Sequence, residues 1–105
     1  MLTSKQRAFL RGMANSIDTI VFVGKGGMSE QIIKQTDDAL TARELIKGKC
    51  LEASPLSSRE AADILSESTS SDVVQVIGSK FILYRPNPDE PVIKLPKTRK
   101  KYDEF

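Results

Sequence analysis

Apolar side chains recur at helical spacing near the start of the chain, with Leu10 and Met13 on one face. Thr3 and Gln6 stand three residues apart at the beginning of this segment. That is the spacing of a capping box, in which each side chain bonds the backbone N–H of the other residue. The pattern therefore predicts a first helix over residues 3–14.

Residues 19–23, TIVFV, are an apolar run of β-branched and aromatic residues that stops at Gly24. This run predicts a buried strand. After a short glycine-rich loop, Ser29 can cap a second helix that extends to about Arg43. Helical spacing predicts the inner face of that helix: Ile32, Ile33, Thr36, Ala39 and Leu40.

Apolar and polar positions alternate in residues 45–50, LIKGKC, which places Lys47 and Lys49 on the polar face of a second strand. Ser57 and Glu60 repeat the capping-box spacing and predict the start of a third helix. The inward positions of this helix are predicted to be Ala61, Ile64 and Leu65.

Two further apolar stretches, DVVQVIG and KFILYR, are joined by Gly78 and Ser79, a pair that favours a type II′ hairpin. The predicted order is therefore α-β-α-β-α-β-β. Its two β-α-β steps favour right-handed crossovers with parallel pairing, and the hairpin adds an antiparallel strand. The predicted fold class is α/β, with helices packed on a mixed sheet of about four strands.

The end of the chain differs in composition from the rest, because four of the five prolines and the stretch KLPKTRKK follow Arg85. A chain of 105 residues is long enough for one hydrophobic core but not for two. We therefore predict a single domain over residues 1–87 and a flexible Pro/Lys-rich tail over residues 88–105.

The net charge is only +2, but it is unevenly distributed. Residues 1–34 carry five basic against two acidic side chains, while residues 35–85 carry six against eight. Such a basic first third favours a one-sided electrostatic field. No apolar run approaches the roughly 18 residues that span a bilayer, and the N-terminus lacks the apolar core of a secretory signal. A cytoplasmic protein without a membrane partner is expected.

Catalytic machinery is hard to assemble from this composition. The chain has no histidine, the commonest general base and metal ligand, and its single cysteine excludes a Cys-based zinc site. Cys50 stands at an inward strand position and is expected to be an inert core residue. We expect no enzyme, metal, cofactor or small-molecule substrate. Phe9, Phe22 and Phe81 are predicted to lie in the core, which argues against stacking on RNA bases.

The glycine-rich loop is the clearest candidate site. Gly24, Gly26 and Gly27 surround Lys25 between the first strand and the helix capped by Ser29. Glycines let a sugar-phosphate backbone approach the main chain, and a helix N-terminus attracts phosphate oxygens. A G-x-x-G loop in this context clamps backbone nucleotides in RNA-binding modules. The alternative is an ordinary strand-to-helix turn, because such turns tolerate glycine.

Basic residues outside the loop strengthen the case for a phosphate ligand. The candidate RNA-binding residues beyond the loop and Ser29 are Lys5, Arg7, Arg11 and Lys34. Lys47 and Lys49 either extend this basic surface or serve only to keep an outward strand face soluble.

Four segments together resemble the CRM (CRS1-YhbY) domain family, and especially its single-domain bacterial members: LTSKQRAFLRGMA, VFVGKGGMSE, ALTARELIKGKCLE and VVQVIGSKFILYRP. They cover nearly all of residues 2–87. The resemblance implies a fold similar to the C-terminal domain of translation initiation factor three. It also implies RNA binding through the glycine loop and a basic first helix, and association with the precursor of the large ribosomal subunit (pre-50S). Gly48 departs from the pattern, and we expect it to weaken the core slightly.

The residues predict a monomeric, non-enzymatic RNA-binding protein, and the resemblance implies that it assists assembly of the large ribosomal subunit and binds its rRNA. One alternative is a protein-interaction module that uses strand edges or the tail and has no direct contact with RNA. A second alternative is a small enzyme acting on a phosphate ligand, for which Glu30 is the only candidate acid or base near the loop.

Overall fold

A computed structural model of the protein describes residues 2–96. Three helices and four strands follow one another in the predicted order α-β-α-β-α-β-β, which confirms the α/β class. Their bounds are α1 (Ser4–Ala14), β1 (Thr19–Val23), α2 (Glu30–Arg43), β2 (Leu45–Cys50), α3 (Ser58–Thr69), β3 (Asp72–Ile77) and β4 (Lys80–Tyr84).

The three helices begin where the predicted capping residues stand. Both capping boxes form: Thr3 Oγ1 accepts the Gln6 N–H at 3.1 Å, and Ser57 Oγ accepts the Glu60 N–H at the same distance. Ser29 Oγ accepts an N–H from the first turn of α2 at 3.2 Å. Each cap satisfies a helix N–H that has no acceptor within its own helix.

The sheet has the strand order β1-β2-β4-β3, with β1 and β2 parallel and β4 antiparallel to both neighbours. Parallel pairing was predicted for both β-α-β steps, and for the second step this is wrong, because β4 lies between β2 and β3. The cause is the apolar character of β4 on both faces. Residues 81–84 are all buried, and a strand buried on both sides belongs inside a sheet rather than at its edge.

Hydrophobic clusters cover the two faces of this sheet. On one face α2 and α3 pack against buried residues that include Val21, Ile46 and Phe81. On the other face α1 packs against β2 and β3 through Leu10 and Ala14. The sheet therefore separates α1 from the other two helices.

Two of the three phenylalanines predicted in the core are exposed. Phe81 is fully buried, but Phe9 and Phe22 keep 40% and 47% of their surface exposed, so that prediction is wrong for both. Phe22 lies between two buried valines of β1, so it points to the opposite face of its strand. Ile64 is also partly exposed, whereas Ala61 and Leu65 are buried as predicted.

Gly48 does not weaken the core as expected; the core requires a glycine at this position. A Cβ added there would overlap the ring of Phe81. Because Phe81 is fully buried, its ring has no solvent-facing space into which it can move.

Part of the Pro/Lys-rich tail contacts the domain. Ile93 and Leu95 pack against the cluster beneath α1, and the carbonyl of Pro96 accepts a 3.3 Å hydrogen bond from Gln6 Nε2. The boundary after residue 87 stays a prediction, and the stretch TRKK lies outside the described residues. None of the helices within residues 2–96 has both the length and the apolar character needed to cross a membrane.

Candidate nucleic-acid interface

The glycine loop, Gly24–Gly27, is a tight turn between β1 and α2. The Gly27 N–H donates a 3.0 Å hydrogen bond to the carbonyl of Gly24, which leaves Lys25 and Gly26 at the exposed tip. The predicted loop residues and Ser29 are therefore brought together in one continuous segment.

Only one of the three loop glycines is required by the fold. Gly27 has φ +67°, a left-handed conformation that side chains rarely adopt, and a Cβ there would lie 3.1 Å from Pro55. Gly26 has no atom within 4 Å of an added Cβ, and Gly24 has only an ordinary contact at 3.5 Å. Neither of these two has positive φ. The protein itself gives no conformational or steric reason for glycine at Gly24 and Gly26.

The loop leads directly into the N-terminus of α2. Ser29 is extended, its side chain caps Ile32, and its carbonyl accepts the Ile33 N–H at 3.1 Å. The N–H groups at the start of a helix have no intrahelical acceptors, and the helix dipole makes this end positive. Glu30, exposed in the first turn, is an acidic neighbour of the same helix end. The helix end therefore favours an anion, and Glu30 opposes one.

Two predicted lysines accompany this segment. Lys25 is exposed at the tip of the turn. Lys34 lies further along α2 and forms a 3.3 Å ion pair with Asp38, in which both side chains are mostly exposed. Exposed ion pairs of this kind are weak. Lys34 can therefore exchange Asp38 for another anion at little cost.

The three basic residues of α1 differ in their exposure and hydrogen bonding. Lys5 is exposed and Arg11 is half-buried. Arg7 Nη1 donates to the main-chain carbonyls of Val73 and Val74 in β3. Arg7 therefore fastens α1 to the sheet through Nη1. All three residues belong to the helix on the far side of the sheet from α2.

The structure adds basic and aromatic residues that sequence reasoning missed or dismissed. Lys80 in β4 lies directly opposite Lys49 in β2, and Lys49 lies directly beside Phe22 in β1. The alternation in β2 already indicated that Lys49 faces outward. Only the strand register shows that the three side chains share one face.

The thiol and the carboxylates are the remaining candidates for reactive or metal-ligating groups. Cys50 is buried as predicted, and its burial raises the pKa of the thiol, which disfavours the reactive thiolate. Within residues 2–96, no three side chains of the metal-ligating types lie close enough together to hold an ion.

Comparison with known proteins agrees with this fold. YqeI of Bacillus subtilis, named as a probable RNA-binding protein, is 41% identical over 96 residues, which are 91% of this chain and 100% of the relative. An RNA-binding protein of Haemophilus influenzae is 33% identical over 96 residues, covering 91% and 96% of the two chains. The solution structure of Staphylococcus aureus SAV1595, described as a candidate RNA-binding protein, superimposes with a TM-score of 0.76. It is 48% identical and covers 91% of this chain and 100% of its own.

The family comparison extends over almost the whole folded region, from α1 to the residue after β4. The model of the CRS1/YhbY (CRM) domain matches residues 2–85, which include the glycine loop, all three helices and all four strands. This chain belongs to the CRS1/YhbY (CRM) domain family.

Proposed function

We propose that this protein binds RNA through the glycine loop and the N-terminus of α2, and that its target is large-subunit rRNA or the pre-50S particle. In this proposal the protein acts as an assembly factor in the cytoplasm, as a monomer and without catalysis. Its relatives in Bacillus subtilis and Haemophilus influenzae are named as RNA-binding proteins, probable in the first case.

The observation that carries the proposal is the lack of a structural reason for glycine at Gly24 and Gly26. A side chain at either position would be accepted by the fold. A bare main chain at an exposed tip is useful where another backbone must come close, as in G-x-x-G loops that clamp nucleotides.

The chemistry of the neighbouring groups fits a phosphate. The free N–H groups of the α2 N-terminus donate to phosphate oxygens, and Lys25 supplies a mobile positive charge at the tip. Lys5, Arg11 and Lys34 add further charge at a distance, while Arg7 acts mainly by fixing α1. Binding carried by phosphate contacts weakens steeply with salt and follows RNA shape more than sequence.

The test replaces Gly26 alone, because a change at Gly27 would strain the turn. Gly26→Asp adds a negative charge and bulk, whereas Gly26→Asn adds nearly the same bulk without charge. Affinity for transcripts of large-subunit rRNA is measured by filter binding over a salt series, with thermal midpoints to confirm folding. We expect Gly26→Asp to lose most of the binding and Gly26→Asn to lose less. Full affinity in a folded Gly26→Asp variant would exclude the loop as the site.

The ribosomal target needs a separate experiment, because it rests on the resemblance to single-domain bacterial members of the family. Cell lysate is fractionated on sucrose gradients at low and high salt, and each fraction is probed for the protein. Co-migration with a large-subunit precursor that is lost at high salt is expected. If the protein stays at the top of the gradient at both salts, the ribosomal target is wrong and a protein-interaction module becomes the better explanation.

A further inference from the structure

The outer face of the sheet carries one row of side chains directly across its four strands. The register aligns Phe22 of β1, Lys49 of β2, Lys80 of β4 and Ile77 of β3. We call these four residues the sheet row. Phe22 and Ile77 are 47% and 60% exposed, so neither end of the row is covered by the rest of residues 2–96.

The sheet row lies on the side of the sheet that α1 covers elsewhere. In β2, Leu45 packs against α1, and alternation brings Lys47 and Lys49 to that same face. In β1, Val21 and Val23 are buried on the opposite side, so Phe22 points to the α1 side. Because α1 covers only the Leu45 end, the face remains open at the other end.

The charged side chains of the sheet row and of the row beside it are all lysines. Lys49 and Lys80 stand directly opposite each other, an arrangement that destabilises a sheet unless an anion neutralises it. Lys47 lies in the adjoining row, paired on either side with Thr19 and Ile82. Neither row contains an acidic residue, and no ion pair of the described region involves these lysines. The face is therefore complementary to a polyanion.

Phe22 adds an apolar feature that phosphate binding alone does not explain. Half of its surface is in water beside a lysine, although Phe is among the residues most often buried. An exposed aromatic ring on a basic sheet face is the arrangement on which unpaired bases stack, since every base has a π-face.

We propose that the sheet row binds an unpaired stretch of RNA, with one base stacked on Phe22 and the adjoining phosphates held by Lys49 and Lys80. This inference rests on the proposed RNA-binding function and extends it from the glycine loop to the sheet. It names the ligand as single-stranded RNA, because a base inside a continuous duplex cannot present its face to a side chain.

The sheet row is continuous with the glycine loop. Phe22 stands two residues before Gly24, and the loops that follow β1 and β2 meet at this end of the sheet, where Leu51 N–H donates to the Val23 carbonyl at 2.8 Å. The β3–β4 turn joins them through a 2.8 Å bond from Cys50 N–H to the Ser79 carbonyl. A single RNA strand can thus contact the loop with its backbone and the sheet row with its bases.

The absence of tryptophan from the chain allows a direct test. Phe22→Trp introduces one fluorophore at the sheet row, and Phe9→Trp introduces one at the exposed phenylalanine of α1 as a matched control. Each full-length variant is titrated with an unstructured oligoribonucleotide of about eight nucleotides, and separately with a hairpin whose uninterrupted stem is closed by a non-nucleotide linker, so that it contains no unpaired base. We expect the single strand to quench Phe22→Trp emission and to leave Phe9→Trp nearly unchanged.

Affinity measurements complete the test. Phe22→Leu keeps apolar bulk but removes the ring, and should weaken single-strand binding roughly tenfold. Phe22→Tyr keeps an aromatic ring and should therefore retain the affinity. Phe9→Leu should have no effect, and Lys49→Gln should lower the salt dependence of binding. The hairpin should bind equally well to wild type and Phe22→Leu.

The outcomes separate this inference from the proposed function. If Gly26→Asp abolishes RNA binding but Phe22→Leu binds the single strand like wild type, the stacking site is wrong and the loop proposal stands. Equal losses for hairpin and single strand would also overturn the stacking site. If wild type binds neither RNA, the stacking site is wrong and an acidic protein becomes the better candidate for the basic face, while the rRNA transcripts decide the loop proposal separately.

Discussion

The carboxylate of Glu44 accepts a hydrogen bond of 2.6 Å from the backbone N–H of Ile93, 49 residues further along the chain. Two more main-chain N–H groups bond the same carboxylate, from Val92 at 2.8 Å and Asn87 at 2.5 Å. Glu44 is fully buried at the C-terminal end of α2. A single acidic side chain therefore holds the segment after β4 against the domain.

Replacing this acid with its amide should destabilise the protein. In Glu44→Gln the side chain keeps its size but offers one acceptor oxygen instead of two. Its NH₂ group therefore faces either the N–H of Asn87 or those of Val92 and Ile93. We expect a loss of about 1–3 kcal/mol in the free energy of unfolding, measured by urea denaturation. Glu67→Gln, an exposed position of α3, is the control and should change little. Equal stability of the Glu44→Gln variant and wild type would mean that the carboxylate contributes no more than a neutral amide at this position.

The stabilisation from Glu44 should depend on pH in a defined direction. Burial acts to raise the pKa of the Glu44 carboxyl, but the N–H groups of Asn87, Ile93 and Val92 together hold this pKa below its ordinary value of 4.5. A lowered pKa in the folded state stabilises the protein above the unfolded value, and this stabilisation is lost as the pH falls through the folded pKa.

Urea midpoints of wild type and Glu44→Gln, compared from about pH 7 to about pH 3, should therefore converge at the acidic end. Other carboxylates affect both proteins alike, so the difference isolates Glu44. A difference in stability that stays constant over this range would contradict a charged, hydrogen-bonded Glu44.

Gly48 should tolerate no side chain. Gly48→Ala forces a methyl group into the ring of Phe81 and should lower the free energy of unfolding by about 1–3 kcal/mol or more. Gly12→Ala is the matched control, since this helical glycine has no atom within 4 Å of an added Cβ and should gain about 0.5–1 kcal/mol. Combining Gly48→Ala with Phe81→Leu should recover part of the loss. If the two changes add independently, the overlap is not the cause.

The two arginines of α1 should separate stability from RNA binding. Arg7→Gln removes charged hydrogen bonds to β3 and should cost about 1–2 kcal/mol in unfolding free energy. Arg11→Gln should change stability by less than about 0.5 kcal/mol. It should instead reduce the salt dependence of RNA binding by about one unit of slope. Both variants are measured by urea denaturation and by RNA binding over a salt series. Lower stability in Arg11→Gln together with lower salt dependence in Arg7→Gln would contradict these two roles.

Glu30 should have opposite effects on stability and on RNA affinity. Glu30→Gln removes a negative charge that stabilises the positive, N-terminal end of α2, so the thermal midpoint should fall slightly. The same change removes repulsion of phosphate near the glycine loop, so RNA affinity at low salt should rise a few-fold and the gain should shrink at high salt. Unchanged affinity at low salt would place the bound phosphates away from this helix end.

Much of the local structure could be predicted from the sequence because its causes are local. A cap depends on residues three apart, as in Thr3 with Gln6 and Ser57 with Glu60, and all three predicted helix starts are confirmed. The alternation in β2 likewise depends only on neighbouring residues. The glycine loop could be located for the same reason, since it is one continuous segment between two predictable elements.

Only the tertiary structure decided what depends on residues far apart in the chain. The insertion of β4 between β2 and β3 placed Phe81 beneath Gly48 and Lys80 opposite Lys49. The same assembly left Phe22 exposed.

Arg7 and Glu44 depend on the same long-range assembly. Nothing near Arg7 in sequence indicates that it will bond β3, and nothing near Glu44 indicates that it will hold a segment more than forty residues away. Hydrogen bonds and steric contacts act over a few ångströms of space, whatever the distance along the chain. The sequence by itself therefore determined the elements and the loop between them, and the packing of those elements decided which charged and aromatic side chains remain free to meet a ligand.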